Sequence, residues 1–380
     1  MRRLAARTLE VIVTADDLGI CAVRNRGIAE AARAGAITAA SLLANGPAAR
    51  SAVTTFSGDG NAAMLGLHLN FTQGRALSPA ESIPTLLQGG GRHGAQFLGA
   101  AEFRRAWARG AINPAELVQE TMAQLLWFRD EVGRPPTHVD GHQHTHVLPG
   151  CAELLGPVFQ AAGVRHVRIP FEPLPPHAAP ACPTCAAALA HAAAARLPYA
   201  SAGVVAPHNF IGLSFCGVPY GPTDLLAAVQ SVQRADTELP ELAQTADEAA
   251  STPAIPPATV DPPRVVEIMT HPGGLLPAAA AEGDGDGEWG DERGFFSAPE
   301  RWQELQTLCS PAWRRELELG LAGPTGLRLV GYEDSAGMAC LRGQSSHRAL
   351  EPRAPLSPEH LSHPGGTQRE CVCVRDKIVG

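Results

Sequence analysis

The chain has 380 residues, a formal net charge of -8, and 45% apolar against 18% charged residues; its pI is near 6.0 and its mean hydropathy is -0.04. That composition buries a sizeable core and excludes wholesale disorder, while the acidic balance excludes phosphate-backbone binding as the main task, because such binding needs a basic face. No run of uncharged apolar residues is long enough to cross a membrane, so neither nucleic acid nor membrane is expected as a partner.

Met1 to Val13 carries arginines and a short apolar stretch interrupted by Glu10, and no secretory signal is expected from it. The nine cysteines are scattered without framework spacing, which fits reduced thiols in a cytoplasmic compartment.

The first predicted element is a strand, Leu9 to Ala15, ending in the acidic pair Asp16 and Asp17. A helix follows with Ile28, Ala31 and Ala32 on one face and Gly35 at its stop. Ile37 to Ala44 reads as strand two and Met64 to Phe71, carrying His68, as strand three. Pro114 to Val132 has helical periodicity through Leu117, Met122, Leu125 and Leu126. Thr137 to His142 reads as strand four, Arg165 to Pro170 as strand five, and Asn209 to Phe215 as a strand or substrate loop. Val265 to Thr270 is a buried strand, Trp302 to Leu321 one amphipathic helix, and Leu327 to Tyr332 the last strand. Strands alternating with helices at this pitch pair in parallel with right-handed crossovers. The expected fold is therefore α/β, a distorted or incomplete (β/α) barrel over residues 9–334. Two inserts, Ala235 to Pro263 and Leu276 to Gly294, are expected as mobile surface loops, and residues 335–380 as a disordered tail.

Chemistry concentrates at strand ends. Asp16 and Asp17 end strand one, His68 lies late in strand three, and the His138, Asp140, His142, His144, His146 series ends strand four. Arg168 ends strand five, and His271 follows Val265 to Thr270. In an α/β barrel the carboxyl ends of the strands open onto one face, where catalytic groups sit. Carboxylate with neutral imidazole suits zinc, manganese, cobalt or, with more waters, magnesium. Of two adjacent aspartates, one can bind a cation and the other accept a proton; the plainer reading makes them a helix N-cap pair.

The runs Thr14-Ala15-Asp16-Asp17-Leu18-Gly19, Asn45-Gly46, Gly66-Leu67-His68-Leu69-Asn70, Pro136 to His144 and Thr270-His271-Pro272-Gly273 together resemble the YdjC-like carbohydrate deacetylases, in collinear order from Leu9 to Asp334. The resemblance implies a barrel-like enzyme that removes acetyl from N-acetylated sugars with one divalent metal, magnesium by family and zinc, manganese or cobalt by donor set. It implies Asp17, His68 and His142 as metal ligands, Asp16 as proton acceptor, His271 as general acid and Arg168 as the residue orienting the base. It further implies that Asp140 accepts a ring N–H from a ligating histidine. The partner implied is an acetylated sugar, and a homodimer stays open.

Other readings compete. His142 and His146, four apart, would share a helical face and could displace His68 as ligand. His144-Thr145-His146 resembles the His-x-His pair of barrel amidohydrolases or phosphoesterases, and a barrel that binds acetylated sugar without turnover is a third option. Cys182-Pro183-Thr184-Cys185 has zinc-knuckle spacing without a second pair and reads as a loop. Asp284, Asp286 and Glu288 fail as a calcium loop because Trp289 and Phe295 occupy the positions of its glycine and glutamate.

Overall fold

The computed structural model describes residues 8–91, 96–174, 179–238, 263–274, 298–322 and 326–348. In chain order the elements are β1 (Leu9–Leu18), α1 (Ala22–Arg33), β2 (Ala39–Leu42), α2 (Ala49–Gly58), β3 (Leu65–Leu69), α3 (Ala100–Ala108), α4 (Pro114–Val132), β4 (Val139–Gly141), α5 (Cys151–Ala161), α6 (Pro183–Ser201), β5 (Asn209–Ile211), α7 (Pro222–Glu238), β6 (Arg264–Thr270), α8 (Pro299–Cys309), α9 (Pro311–Ala322), β7 (Leu327–Leu329) and α10 (Ala336–Arg348).

Every strand pairing is parallel, in the order β4-β3-β2-β1-β6-β5, with β7 beside the start of β1. This is the expected α/β architecture, a half-barrel sheet wrapped by helices. Beyond β4, among the described residues, the sheet continues only as isolated parallel bridges, Val139 to Val167 and His166 to Val205. The expected strand Arg165 to Pro170 is thus a bridging segment and not a full strand. β1 is buried along its whole length, as a strand covered on both faces must be, and its Val11, Ile12, Val13 and Ala15 supply the apolar surface.

α4 shows why these helices form where they do. Asn113 caps it by accepting from Ala115 N at 3.0 Å, Pro114 follows at the first position, and Gly133 stops it at φ 82°. Its inward face is Leu117, Glu120, Thr121, Gln124, Leu125 and Phe128, whereas Met122 and Leu126 are largely exposed. Gln124 reaches past the apolar core to hold both the N–H and the C=O of Asn70, fixing the chain just after β3.

Several expectations need correction. The single helix expected from Trp302 to Leu321 is two, because Pro311 lacks the N–H that would continue α8 and Ser310 caps α9 by accepting from Trp313 N at 3.0 Å. α7 runs to Glu238, into the start of the first expected loop. The rest of that insert (239–262), and all of the second, lie outside the described residues, as does the rejected calcium loop. The tail does not begin at Asp334. There α10 packs through fully buried Met338 on Ile12, Val265 and Tyr332, and Glu10 accepts from Ser335 Oγ at 2.5 Å and Gly337 N at 3.0 Å. The missed signal is a burial partner 325 residues away in sequence. Residues 349–380 lie outside the described residues. No helix among those described is long and apolar enough to cross a membrane.

Candidate functional site

Adjacent residues of a strand point to opposite faces, so two consecutive aspartates should not serve one site. β1 solves this with a register shift between Ala15 and Leu18 and a left-handed Asp17 at φ 64°. Such a conformation costs of order 1–3 kcal/mol in a non-glycine residue, and here it turns Asp17 into the same cavity that Asp16 borders. Neither aspartate caps α1; Cys21 does.

Asp17 Oδ1 lies 3.4 Å from His68 Nε2 and 3.3 Å from His142 Nδ1, and the two ring nitrogens are 3.1 Å apart. Each imidazole is held from behind. His68 Nδ1 donates to Asp140 Oδ1 at 2.7 Å, with Ser41 Oγ contacting both, and His142 Nε2 donates to Gln73 Oε1 at 2.7 Å. With those protons committed, the two remaining nitrogen lone pairs and a carboxylate oxygen face one another at 3.1–3.4 Å. Three acceptors so placed need a positive charge among them. Donors about 2.1 Å from one cation stand roughly 3.0–3.4 Å apart in octahedral or tetrahedral arrangement. The three residues therefore fit a single divalent metal, and they form one of two groups among the described residues close enough to do so. The other group, Asp16, His68 and Asp140, has both carboxylates engaged by Arg168 and reads as an ion-pair knot.

Electrostatics agrees with that division. Burial alone would raise Asp17, but the His142 and His68 contacts outweigh it and hold the carboxyl well below its ordinary range. Burial opposes charge on His68, yet Asp140 and Asp17 carry its pKa up to about 10; without a cation the site keeps a proton. Asp16 behaves differently: burial lifts it to about 7 against the pull of Arg168.

Arg168 is fully buried. It grips Asp16 with both terminal nitrogens at 2.6 and 2.8 Å, Glu267 through Nε at 2.8 Å, and Asp140 at 2.9 Å. One guanidinium thus locks the Asp16 carboxyl and the acid behind His68 into a single unit. His271 follows β6 and borders the same cavity. Its carbonyl accepts from Arg24, and burial pushes its imidazole well below the ordinary histidine range despite Asp17. The cavity, about 210 Å³, is lined by Asp16, Asp17, His68, His142, His144, Met269 and His271 together with Cys182, Cys185 and Cys216.

His138 and His146 have structural partners. His142 to Val147 is a kinked 3-10 segment with Gln143 and His144 at positive φ, so His142 and His146 do not share an α-helical face. His146 Nε2 donates to the Arg168 carbonyl at 2.8 Å, and neither His144 nor His146 belongs to the groups of donor atoms close enough to share an ion among the described residues, which argues against both the His142–His146 alternative and the His-x-His pair as ligand sets. His138, toward the amino-terminal side, stacks on Tyr332 at 4.2 Å. The motif glycines make room for these rings: a Cβ on Gly66 would lie 2.2 Å from His138, and one on Gly141 2.3 Å from His146.

Ser41, Gln73 and Glu267 were not anticipated as site residues. Glu267 carried a signal, since an acid inside the run Val265 to Thr270 must find a buried cation. Ser41 and Gln73 carried none.

The chain matches the YdjC-like protein family model over residues 10–319. It is 35% identical over 330 residues to a carbohydrate deacetylase of Homo sapiens, covering 86% of this chain and 91% of the relative. A chitooligosaccharide deacetylase of Yersinia enterocolitica is 37% identical over 142 residues, 37% of this chain and 51% of the relative. A crystal structure from Enterococcus faecalis named for cellobiose-phosphate cleavage superposes with a TM-score of 0.57 at 18% identity, over 86% of this chain and 98% of that one; this likeness concerns the fold.

Proposed function

We propose that this chain, which belongs to the YdjC-like family, is a metal-dependent carbohydrate deacetylase that hydrolyses the acetamido group of N-acetylated sugars to acetate and free amine. Full-length relatives named carbohydrate deacetylase support the reaction class, and the shorter match to chitooligosaccharide deacetylases supports an N-acetylglucosamine-type substrate. The observation that carries the metal is the triangle of Asp17, His68 and His142 donor atoms at 3.1–3.4 Å.

Asp17, His68 and His142 hold the metal in this reading. Bound there, a divalent cation supplies electrostatic polarisation of a carbonyl oxygen. The choice among magnesium, zinc, manganese and cobalt belongs to experiment, since carboxylate and imidazole accept all four. Asp140 and Gln73 fix the tautomers of the two imidazoles, which keeps their lone pairs turned inward.

Asp16 is the base. A carboxyl with a pKa of about 7 can take a proton from an attacking water near neutral pH, where an ordinary carboxylate would be too weak. Arg168 keeps its two oxygens oriented. His271 is the acid for the departing amine; burial leaves it neutral before substrate binds, so the proton it delivers is balanced by the one Asp16 takes from the attacking water, and both groups return to their starting protonation once acetate and amine have left. A cavity of about 210 Å³ is below the roughly 300–1,000 Å³ of sites that enclose a whole drug-sized ligand, which suits one acetamido-bearing residue entering from an open mouth.

The test is acetate release from N-acetylated mono-, di- and oligosaccharides, with chelator and with each metal restored. Metal-restored acetate release supports the reading. Sugar binding without acetate, or activity on phosphate esters only, overturns it.

A further inference from the structure

Cys182 and Cys185 do not form the loop that their surroundings implied. Cys182 is the N-cap of the 19-residue helix α6, where its sulfur accepts from Cys185 N at 3.4 Å. The two sulfurs are 3.2 Å apart, so closure to the ordinary disulfide length of about 2.05 Å asks for roughly 1.1 Å of movement. Both line the cavity, as does Cys216 from the turn after β5.

The surroundings differentiate the thiols. Hydrogen bonds from Cys185 and then Cys216 stabilise Cys182 as the anion, the helix N-terminus favours the same charge, and Arg104 of α3 is near enough to interact with Cys182 and Cys185. The contact with Cys182 pushes Cys185 the other way, and the contacts with Cys182 and Cys185 push Cys216 up as well. Cys182 is also half-buried and not sealed in. This is the arrangement of an attacking thiolate with a resolving thiol one helical turn away.

We infer that Cys182 and Cys185 are a reversible dithiol–disulfide pair on the wall of the cavity, oxidised by small-molecule disulfides of the glutathione type. The Cys182 thiolate attacks one sulfur of the small disulfide, forms a mixed disulfide and expels a thiolate. Cys185 then loses its proton, attacks the Cys182 sulfur and expels the second small thiol. Two cysteine thiols are oxidised, one small disulfide is reduced to two thiols, and excess thiol reverses both steps. The inference does not depend on the reaction carried out in the cavity.

The experiment incubates the intact protein with oxidised glutathione, blocks residual thiols with iodoacetamide and maps the cysteines by mass spectrometry. The expected product is a Cys182–Cys185 bond that dithiothreitol removes. Cys185→Ser should retain glutathione on Cys182, and Cys182→Ser should take up glutathione at Cys185 about tenfold more slowly. Recovery of both wild-type cysteines in alkylated form, or a bond joining either of them to Cys216, would overturn the assignment.

Discussion

Asp140 stands behind His68 at 2.7 Å and joins it, through its second oxygen, to the guanidinium that grips Asp16. Asp140, which orients the His68 imidazole, and Arg168, which orients the Asp16 carboxyl, are therefore one buried ion-pair unit; in the function proposed above it holds a metal ligand and the base together.

Breaking the rear contact should weaken the metal before it affects folding. In Asp140→Asn the shape is kept, but the negative charge that favours the inward-facing lone pair of His68 is lost. Metal affinity should fall about 10–100-fold. Titration calorimetry of wild type and variant with the same metal checks this, and unchanged affinity would mean that Asp140 serves packing alone.

The pH profile should report Asp16. Its pKa of about 7 implies that kcat/KM falls as pH drops below about 7, because the protonated carboxyl cannot accept a proton. Arg168 lowers this pKa, so Arg168→Lys, which keeps charge but loses the two-pronged grip, should move the acid limb upward by about one unit. A limb that stays in place would separate Arg168 from the base.

Much of this site was legible because β-strands end where charge begins. Asp16, Asp17, His68, Arg168 and His271 each interrupt or terminate an apolar run, and parallel topology brings such ends together. What stayed hidden was anything set by contacts across the sheet. Ser41 resembles any strand serine until β3 and β4 bring His68 and Asp140 beside it, and Glu10 draws its partners from the opposite end of the chain. Cys182 was misread because an Ala- and Pro-rich neighbourhood masks a helix whose cap is a thiol. The break at Pro311 was visible in the sequence, and helical periodicity on both sides of it obscured it.

Helix α10 contributes to stability. Met338 is fully buried against Ile12, Val265 and Tyr332, so Met338→Ala should cost about 2–5 kcal/mol. A chain ended at Asp334 should lose at least as much, since it also strips the partners of Glu10. Denaturant midpoints measure both, and a truncated protein of wild-type stability would contradict the packing.

Acid should destabilise the fold well above the ordinary carboxylate range. Burial depresses His138 to about 3 and His146 and His166 to about 4, whereas in the unfolded chain each titrates near 6.5. Between these values the unfolded state binds more protons, so stability falls as pH drops from about 6.5 toward 4. The three histidines add three protons to the unfolded state, and Asp16, lifted to about 7, returns one to the folded state, so these groups together give a slope of about 2.7 kcal/mol per pH unit. Guanidinium titrations at a series of pH values test this; a flat profile over that window would contradict it.

The division of labour between the adjacent aspartates is tested most directly by metal content and turnover measured on the same two purified variants. Asp17→Ala should bind no stoichiometric metal and release no acetate, while Asp16→Asn should hold one metal ion per chain and still release none. Metal retained by Asp17→Ala and lost by Asp16→Asn would contradict the account.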